Sequence, residues 1–348
     1  MKLLVLTQKV DEQDDVLGFF HEWLRRLADK VETLEVICLS AGHYKLPHNT
    51  RVHSLGKEEG KGRLARLMRL YRLLWKLRSE YDAVFVHMNP EYLVAAGWWW
   101  KLSRKKTLLW YSHRSVDLKL RVAAFFADTI ASSSATSFRL KTPKLHVLGH
   151  GIDTELFSPA PKTHGPRWRL VSVGRITPIK RLTTAVEALA LLRGQGIDAE
   201  LALVGQAGTG DKAYERQLKE QIKTLSLEQH VRFAGPVPYG NMSGVYHGAD
   251  VSINLAPTGG LDKAVLESMA AGLPTLLSNK GFADFLGPYE HRLLFAQDDA
   301  ADLALKLAAL YHASDRAATG AYLREQVVKR AGLDRLVAVL MSLLWPNK

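Results

Sequence analysis

The feature that most restricts the fold is an alternation that runs through the chain: a short apolar run of strand length, then a longer amphipathic stretch, then another run. In the first half the apolar runs fall at residues 2–7, 35–39, 51–55, 82–87, 107–111, 129–131 and 145–148, with helical patterns at 16–28, 61–78, 92–102 and 116–126. Strands flanked by helices in this way form a parallel sheet covered on its faces. The segment 157–167, with SPAPKTHGPR, concentrates Pro, Ser, Gly and charge, and reads as a boundary. The alternation then restarts: strands at 170–173, 200–204, 231–234, 251–256, 273–278 and 292–295, helices at 182–193, 213–225 and 242–247, and a helical tail from Ala300 onward. The expectation is an α/β chain of two Rossmann-like domains, 1–157 and 158–348, facing each other across a cleft, with the last helices able to pack back on the first domain. Ligands of such sheets lie at the carboxyl ends of the strands.

A length of 348 residues with 47% apolar content supports two cores. The single cysteine, Cys38, excludes a disulfide framework, and its place in a strand marks a buried structural thiol. No apolar run reaches bilayer length and the first residues lack a signal-peptide pattern, so the chain is read as cytoplasmic. A net charge of +12 implies attraction to polyanions. No aromatic-and-basic RNA motif or DNA-reading module appears, and nucleic acid is not expected. The acidic run Asp11, Glu12, Asp14 and Asp15 reads as a solvated loop, and no metal site is expected.

Residues 61–78, KGRLARLMRLYRLLWKLR from Lys61 to Arg78, set Leu64, Leu67, Leu70, Tyr71, Leu74 and Leu77 at helical spacing. Arg63, Arg66, Arg69, Arg72 and Lys76 occupy much of the other side. The Leu side is expected to cover the sheet. The nearly all-cationic remainder, beside Trp98, Trp99 and Trp100, suits an anionic membrane surface and a peripheral location at its inner face.

Two stretches carry candidate chemistry. NLAPTGGLDKAVLESMAAGLP, residues 254–274, is a strand, a glycine turn and a helix start. The first helical amides have no partner within the helix, Gly259 and Gly260 remove side-chain bulk, and Glu267 lies one to two turns in, placed to accept hydrogen bonds from hydroxyls. An ordinary strand-to-helix connection with a solvated Glu remains the alternative. In RLVSVGRITPIKR, a strand ends at Gly174 and is followed by Arg175 and Lys180, a guanidinium and an ammonium suited to two adjacent phosphates.

With GHGIDTELFSP, VGRITPIKR, LALVGQAG, VRFAGPVP and VLESMAAGLP, the chain resembles the retaining glycosyltransferases of the GT-B fold, family 4 (glycosyl transferases group 1), most strongly from Gly149 to about Asn279. The resemblance implies a hexosyltransferase that moves a sugar with retention from a nucleoside-diphosphate sugar, UDP- or GDP-linked, to a glycan or lipid-linked acceptor in cell-envelope synthesis, with no further cofactor. It implies that Arg175 and Lys180 hold the donor diphosphate, that Glu267 binds the ribose, and that the backbone of Gly260, Leu261, Asp262 and Lys263 approaches the phosphate and sugar. Gly18 would lie close to the phosphates, His113 would contact the sugar as a catalytic residue, and the backbone at Val237 would meet the base. The family's usual second Glu, eight residues before Glu267, is Gly259 here, and Asp262 or Lys263 could reach the sugar in its place. Rival readings are a non-catalytic sugar- or lipid-binding relative and a sugar-nucleotide epimerase or phosphorylase on the same fold.

Overall fold

The computed structural model describes residues 1–161 and 165–346; of the linker read at 157–167, residues 162–164 lie outside them. The chain divides into two compact units, one of residues 1–151, 238–240 and 333–348, the other of residues 152–237 and 241–332.

The first unit contains β1 (Lys2–Val10), α1 (Phe19–Ala28), β2 (Thr33–Ala41), β3 (Thr50–Ser54), α2 (Arg63–Lys76), β4 (Ala83–His87), α3 (Glu91–Leu102), β5 (Lys106–Trp110), α4 (Leu118–Phe126), β6 (Thr129–Ser132) and β7 (Leu145–Val147). They form a seven-stranded sheet in the order β3-β2-β1-β4-β5-β6-β7, with every pairing parallel. The register sets Leu3 between Leu34 and Ala83. Because side chains alternate across a strand, Leu3 and Val5 enter one core with Trp23 and Leu27 of α1, while Leu4 and Leu6 enter another with Leu70, Leu74 and Trp100. Cys38 is fully buried, and burial pushes its thiol up to about 12, which leaves it inert.

In α2 the structure departs from the expected packing. Leu70, Leu74 and Leu77 are buried, but Leu64, Leu67 and Tyr71 are 69%, 40% and 39% exposed. The first two turns of the helix therefore offer apolar side chains to solvent. The acidic loop also differs from a merely solvated one. Asp14 accepts hydrogen bonds from the Val16 and Leu17 amides at 2.9 and 2.7 Å, and Lys9 pairs with Asp11 and Asp14 at 2.9 and 2.7 Å.

The second unit contains β8 (Trp168–Val173), α5 (Leu182–Gly194), β9 (Ala199–Val204), α6 (Lys212–Thr224), β10 (Val231–Gly235), α7 (Met242–His247), β11 (Val251–Asn254), α8 (Lys263–Ala270) and β12 (Thr275–Leu277). Its five-stranded parallel sheet runs β10-β9-β8-β11-β12. The strand expected at 292–295 is instead a helical turn, Glu290–Leu293. It follows Pro288, and the Leu294 amide still donates to the Glu290 carbonyl at 2.8 Å, so the chain reaches the sheet edge only as a single bridge from Leu294 to Leu277. Among the described residues no helix is long and apolar enough to cross a membrane.

Candidate functional site

In the second sheet the connections from β8 lead outward through β9 to β10, while β11 leads the other way to β12. The loops after β8 and β11 thus flank the point where strand order reverses, the position at which open α/β sheets take ligands. The loop after β8 starts at Gly174, whose φ of +142° favours glycine. It touches the loop after β9 so closely that a Cβ on Gly205 would lie 2.2 Å from the Gly174 carbonyl oxygen. A turn at Pro178–Lys180 then leads into α5. Arg175 is exposed, and no hydrogen bond or ion pair to its guanidinium is formed among the described residues. Lys180 folds back, only 18% exposed, to pair with Asp262.

That pair joins the two loops. Asp262 caps α8 by accepting from the Ala264 amide at 3.2 Å, and its other oxygen receives Lys180 and, at 3.1 Å, the Asn254 side-chain amide. Burial raises the Asp262 carboxyl, but the Lys180 ammonium and these hydrogen bonds outweigh it and hold the group below its ordinary value. Asn254 also accepts from the Ala256 amide at 3.2 Å, which ends β11 two residues before the sequence pattern does. The end of β12 grips the glycine turn: Ser278 donates to the Ala256 carbonyl at 3.1 Å, and the Asn279 side chain donates to the Gly260 carbonyl at 3.1 Å. Gly259, Gly260 and Leu261 are partly buried within this frame.

Glu267 is 6% exposed rather than solvated. The Tyr246 hydroxyl lies 3.1 Å from its Oε2 and 3.2 Å from the Ala264 carbonyl, sharing one proton between two acceptors. Lys263 lies four residues earlier on the same helical face. Burial raises the Glu267 carboxyl and lowers the Lys263 ammonium to about 8, each opposed by the other's charge. A cation in the first turn works against the helix dipole, so helix stability does not account for Lys263.

The remaining sequence candidates lie elsewhere. Val237 lines a cavity of about 640 Å³ with Phe233 and Gly244 in the second unit. In the first unit Gly18 has ordinary helical φ; its lack of a side chain is explained by the 12–14 turn, since a Cβ would lie 2.4 Å from the Asp14 carbonyl oxygen. His113 is exposed after β5, and its Nδ1 accepts from the Ser115 amide at 3.1 Å. Sequence reading missed Asn254, Tyr246, Ser278 and Asn279. The only available signal was the placement of Asn254 and Asn279 at strand ends.

The family model for glycosyl transferases group 1 matches residues 153–330, just over half of the chain. WcaL of Escherichia coli strain K12, whose name places it provisionally in colanic acid biosynthesis as a glycosyltransferase, is 30% identical over 56% of this chain and 48% of its own length. A Mycobacterium tuberculosis protein named as a GDP-mannose-dependent alpha-(1-6)-phosphatidylinositol monomannoside mannosyltransferase is 29% identical over 64% of this chain and 61% of its own. The chain spans about half the length of the first curated relatives it matches. The structure of Anabaena HepE in complex with UDP and glucose superposes with a TM-score of 0.75 at 18% identity, covering 99% of both chains, and shares the fold. The fold is GT-B, with two parallel-sheet α/β domains. The chain belongs to the glycosyl transferases group 1 family.

Proposed function

We propose that this protein transfers a hexosyl group, with retention, from a nucleoside-diphosphate sugar to an acceptor hydroxyl in cell-envelope glycan or glycolipid synthesis. The observation that carries the reading is the pairing of Lys180 with Asp262 beside Arg175, which has no hydrogen-bond or ion-pair partner among the described residues; together they gather cations at the strand-order reversal of the second sheet. The diphosphate of a UDP- or GDP-sugar is held by Arg175 and Lys180, and the buried Glu267 meets the ribose hydroxyls. The backbone from Gly260 to Lys263 follows the phosphate and sugar, and Val237 meets the base. The bond from the anomeric carbon to the diphosphate breaks, the bond to the acceptor oxygen forms, and the acceptor's proton passes to the departing phosphate. Arg175 and Lys180 stabilise the charge that develops on that leaving group, the interaction that grows most in the transition state.

The relatives named for colanic acid, lipopolysaccharide core and phosphatidylinositol mannoside synthesis support envelope acceptors. A peripheral site at the inner membrane face is supported by the edge of α2 and α3, where Trp75, Trp98 and Leu102 are 59%, 44% and 75% exposed among cations. A thermal-shift panel of UDP- and GDP-sugars tests the donor assignment, because a bound donor raises apparent stability by mass action. In the protein stabilised by a donor, Lys180→Ala is expected to remove most transfer from it. Near-normal turnover in that variant would refute the assignment.

A further inference from the structure

The first unit contains a second concave site, about 490 Å³, between α2 and α3 at the carboxyl ends of β1 and β2. It lies beside the reversal of strand order between β1 and β4, a position equivalent to that of the donor corner in the other sheet. Its floor is apolar: Leu55, Leu70 and Tyr92 are 2%, 3% and 4% exposed. Its wall is cationic. Arg63 and Arg66, one helical turn apart on α2, both line it, and no hydrogen bond or ion pair to either guanidinium is formed among the described residues. Their neighbour Arg69 is already engaged by Glu59 at 3.3 Å, and the one carboxylate lining this cavity, Glu91, is paired with Lys119 at 3.0 Å. Leu67 lines the cavity and is 40% exposed, and Leu64, one helical turn earlier on α2, is 69% exposed, so the sheet leaves both uncovered.

We propose that this cavity binds the anionic head of an amphiphilic acceptor, a phosphate or diphosphate carrying a hydrocarbon chain, with Arg63 and Arg66 on the phosphate and Leu64 and Leu67 along the first part of the chain. The assignment deepens the glycosyltransferase reading and rests on it for the word acceptor. Planar guanidinium forks match phosphate oxygens, and two of them facing one cavity without carboxylate partners match an anion rather than a neutral sugar. A soluble sugar phosphate has no use for the uncovered leucines, whereas an acyl or prenyl chain gains free energy for each methylene it removes from water. A pocket of this size accommodates a head group and leaves the rest of the chain outside.

The test is a calorimetric titration of the full chain with dodecyl phosphate below its micellar concentration, against neutral dodecyl glucoside and inorganic phosphate. Dodecyl phosphate is expected to bind at least tenfold more tightly than either control. The double variant Arg63→Gln, Arg66→Gln is expected to weaken dodecyl phosphate at least tenfold and leave dodecyl glucoside unchanged, and Leu67→Asn to weaken dodecyl phosphate but not inorganic phosphate. Equal affinity for the anionic and neutral amphiphiles, or unchanged binding by the double variant, overturns the proposal. Inorganic phosphate binding as tightly as dodecyl phosphate also overturns it, leaving a small-anion site. Stabilisation by sugar nucleotides, measured on the same samples, controls for folding of the variants. Its absence in the wild type counts against the donor reading and leaves the amphiphile titration to decide this one.

Discussion

The Lys180–Asp262 pair allows the tightest quantitative test, because Asp262 has three separable partners. Removing its cap to the Ala264 amide costs about 1 kcal/mol. Leaving the Asn254 amide without its acceptor costs about 1 kcal/mol more. The ion pair lies between the surface and buried regimes, with side chains 18% and 22% exposed, and contributes about 1–2 kcal/mol after allowance for solvent screening. Asp262→Ala should therefore destabilise the protein by about 3–4 kcal/mol, a fall of about 6–16 °C in melting temperature at the slope of about 2–4 °C per kcal/mol for a domain of this size. Asp262→Asn, which keeps an oxygen for the cap but turns the other into a donor that neither Lys180 nor the Asn254 amide can use, should lose about 2–3 kcal/mol. Urea unfolding of Asp262→Asn, Lys180→Met and the double variant closes a cycle in which the pair should account for about 1 kcal/mol or more of coupling. Affinity should separate from stability. In Asp262→Asn the ammonium remains and is released from its carboxylate, so nucleoside-diphosphate affinity should hold within about threefold, whereas Lys180→Met should lose about tenfold or more. A coupling energy within about 0.3 kcal/mol of zero, or parallel loss of affinity in both single variants, would refute the reasoning.

Three further outcomes are expected. Glu267→Gln keeps the shape of the buried side chain but removes the charge that Lys263 faces, so it should weaken sugar-nucleotide binding and shift the Lys263 ammonium further down; donor titration and lysine-resolved NMR measure the two effects. Asp262 has a folded-state pKa below its unfolded value of 3.8, so its stabilisation is complete above that value and is lost as pH falls through the folded pKa; the stability gap between wild type and Asp262→Asn should shrink on acidification below about pH 4, and a constant gap would contradict the pairing. Co-sedimentation with phosphatidylglycerol vesicles should fall several-fold for Trp75→Ser, Trp98→Ser and for Arg72→Glu, and binding that survives both would exclude this edge as the contact.

The fold was largely legible because both sheets are parallel and covered: strands such as β1 and β4 must be apolar on both faces, and that leaves a continuous signal in the sequence. Helical spacing was a weaker guide to burial. It placed Leu64 and Leu67 on the same side as Leu70 and Leu74, yet only the latter two reach the sheet, since periodicity specifies a face and not how far along it a partner extends. The run at 292–295 shows a related ambiguity, for four residues cannot distinguish a strand from the turn of helix that Glu290–Leu293 forms after Pro288. At the site, Arg175, Lys180 and Glu267 were visible through their motifs. The parts that hold them were not, because Tyr246 reaches Glu267 across 21 positions and Asn279 reaches Gly260 across 19, and tyrosine and asparagine are unremarkable at either place.

The balance of charge at the proposed donor corner accounts for two pairs there rather than a bare cluster of cations. Arg175, Lys180 and Lys263 stand against Asp262 and Glu267, so the corner carries one excess positive charge when all five are ionised. Burial drives Lys263 and Glu267 together towards their neutral forms, and neutralising both removes one charge of each sign. The excess is therefore the same whether or not a proton moves between them, and attraction for a diphosphate rests on Arg175 and on the ammonium that Lys180 shares with Asp262. What the inner proton does change is hydrogen bonding: an ionised Glu267 only accepts, whereas a protonated one also donates. On the proposed assignment a ribose diol donates to Glu267, which favours the ionised carboxylate, and a bound donor would lower the Glu267 pKa that burial has raised. On that assignment, the coupling of Lys263 to Glu267 makes ribose recognition sensitive to protonation while phosphate attraction is not.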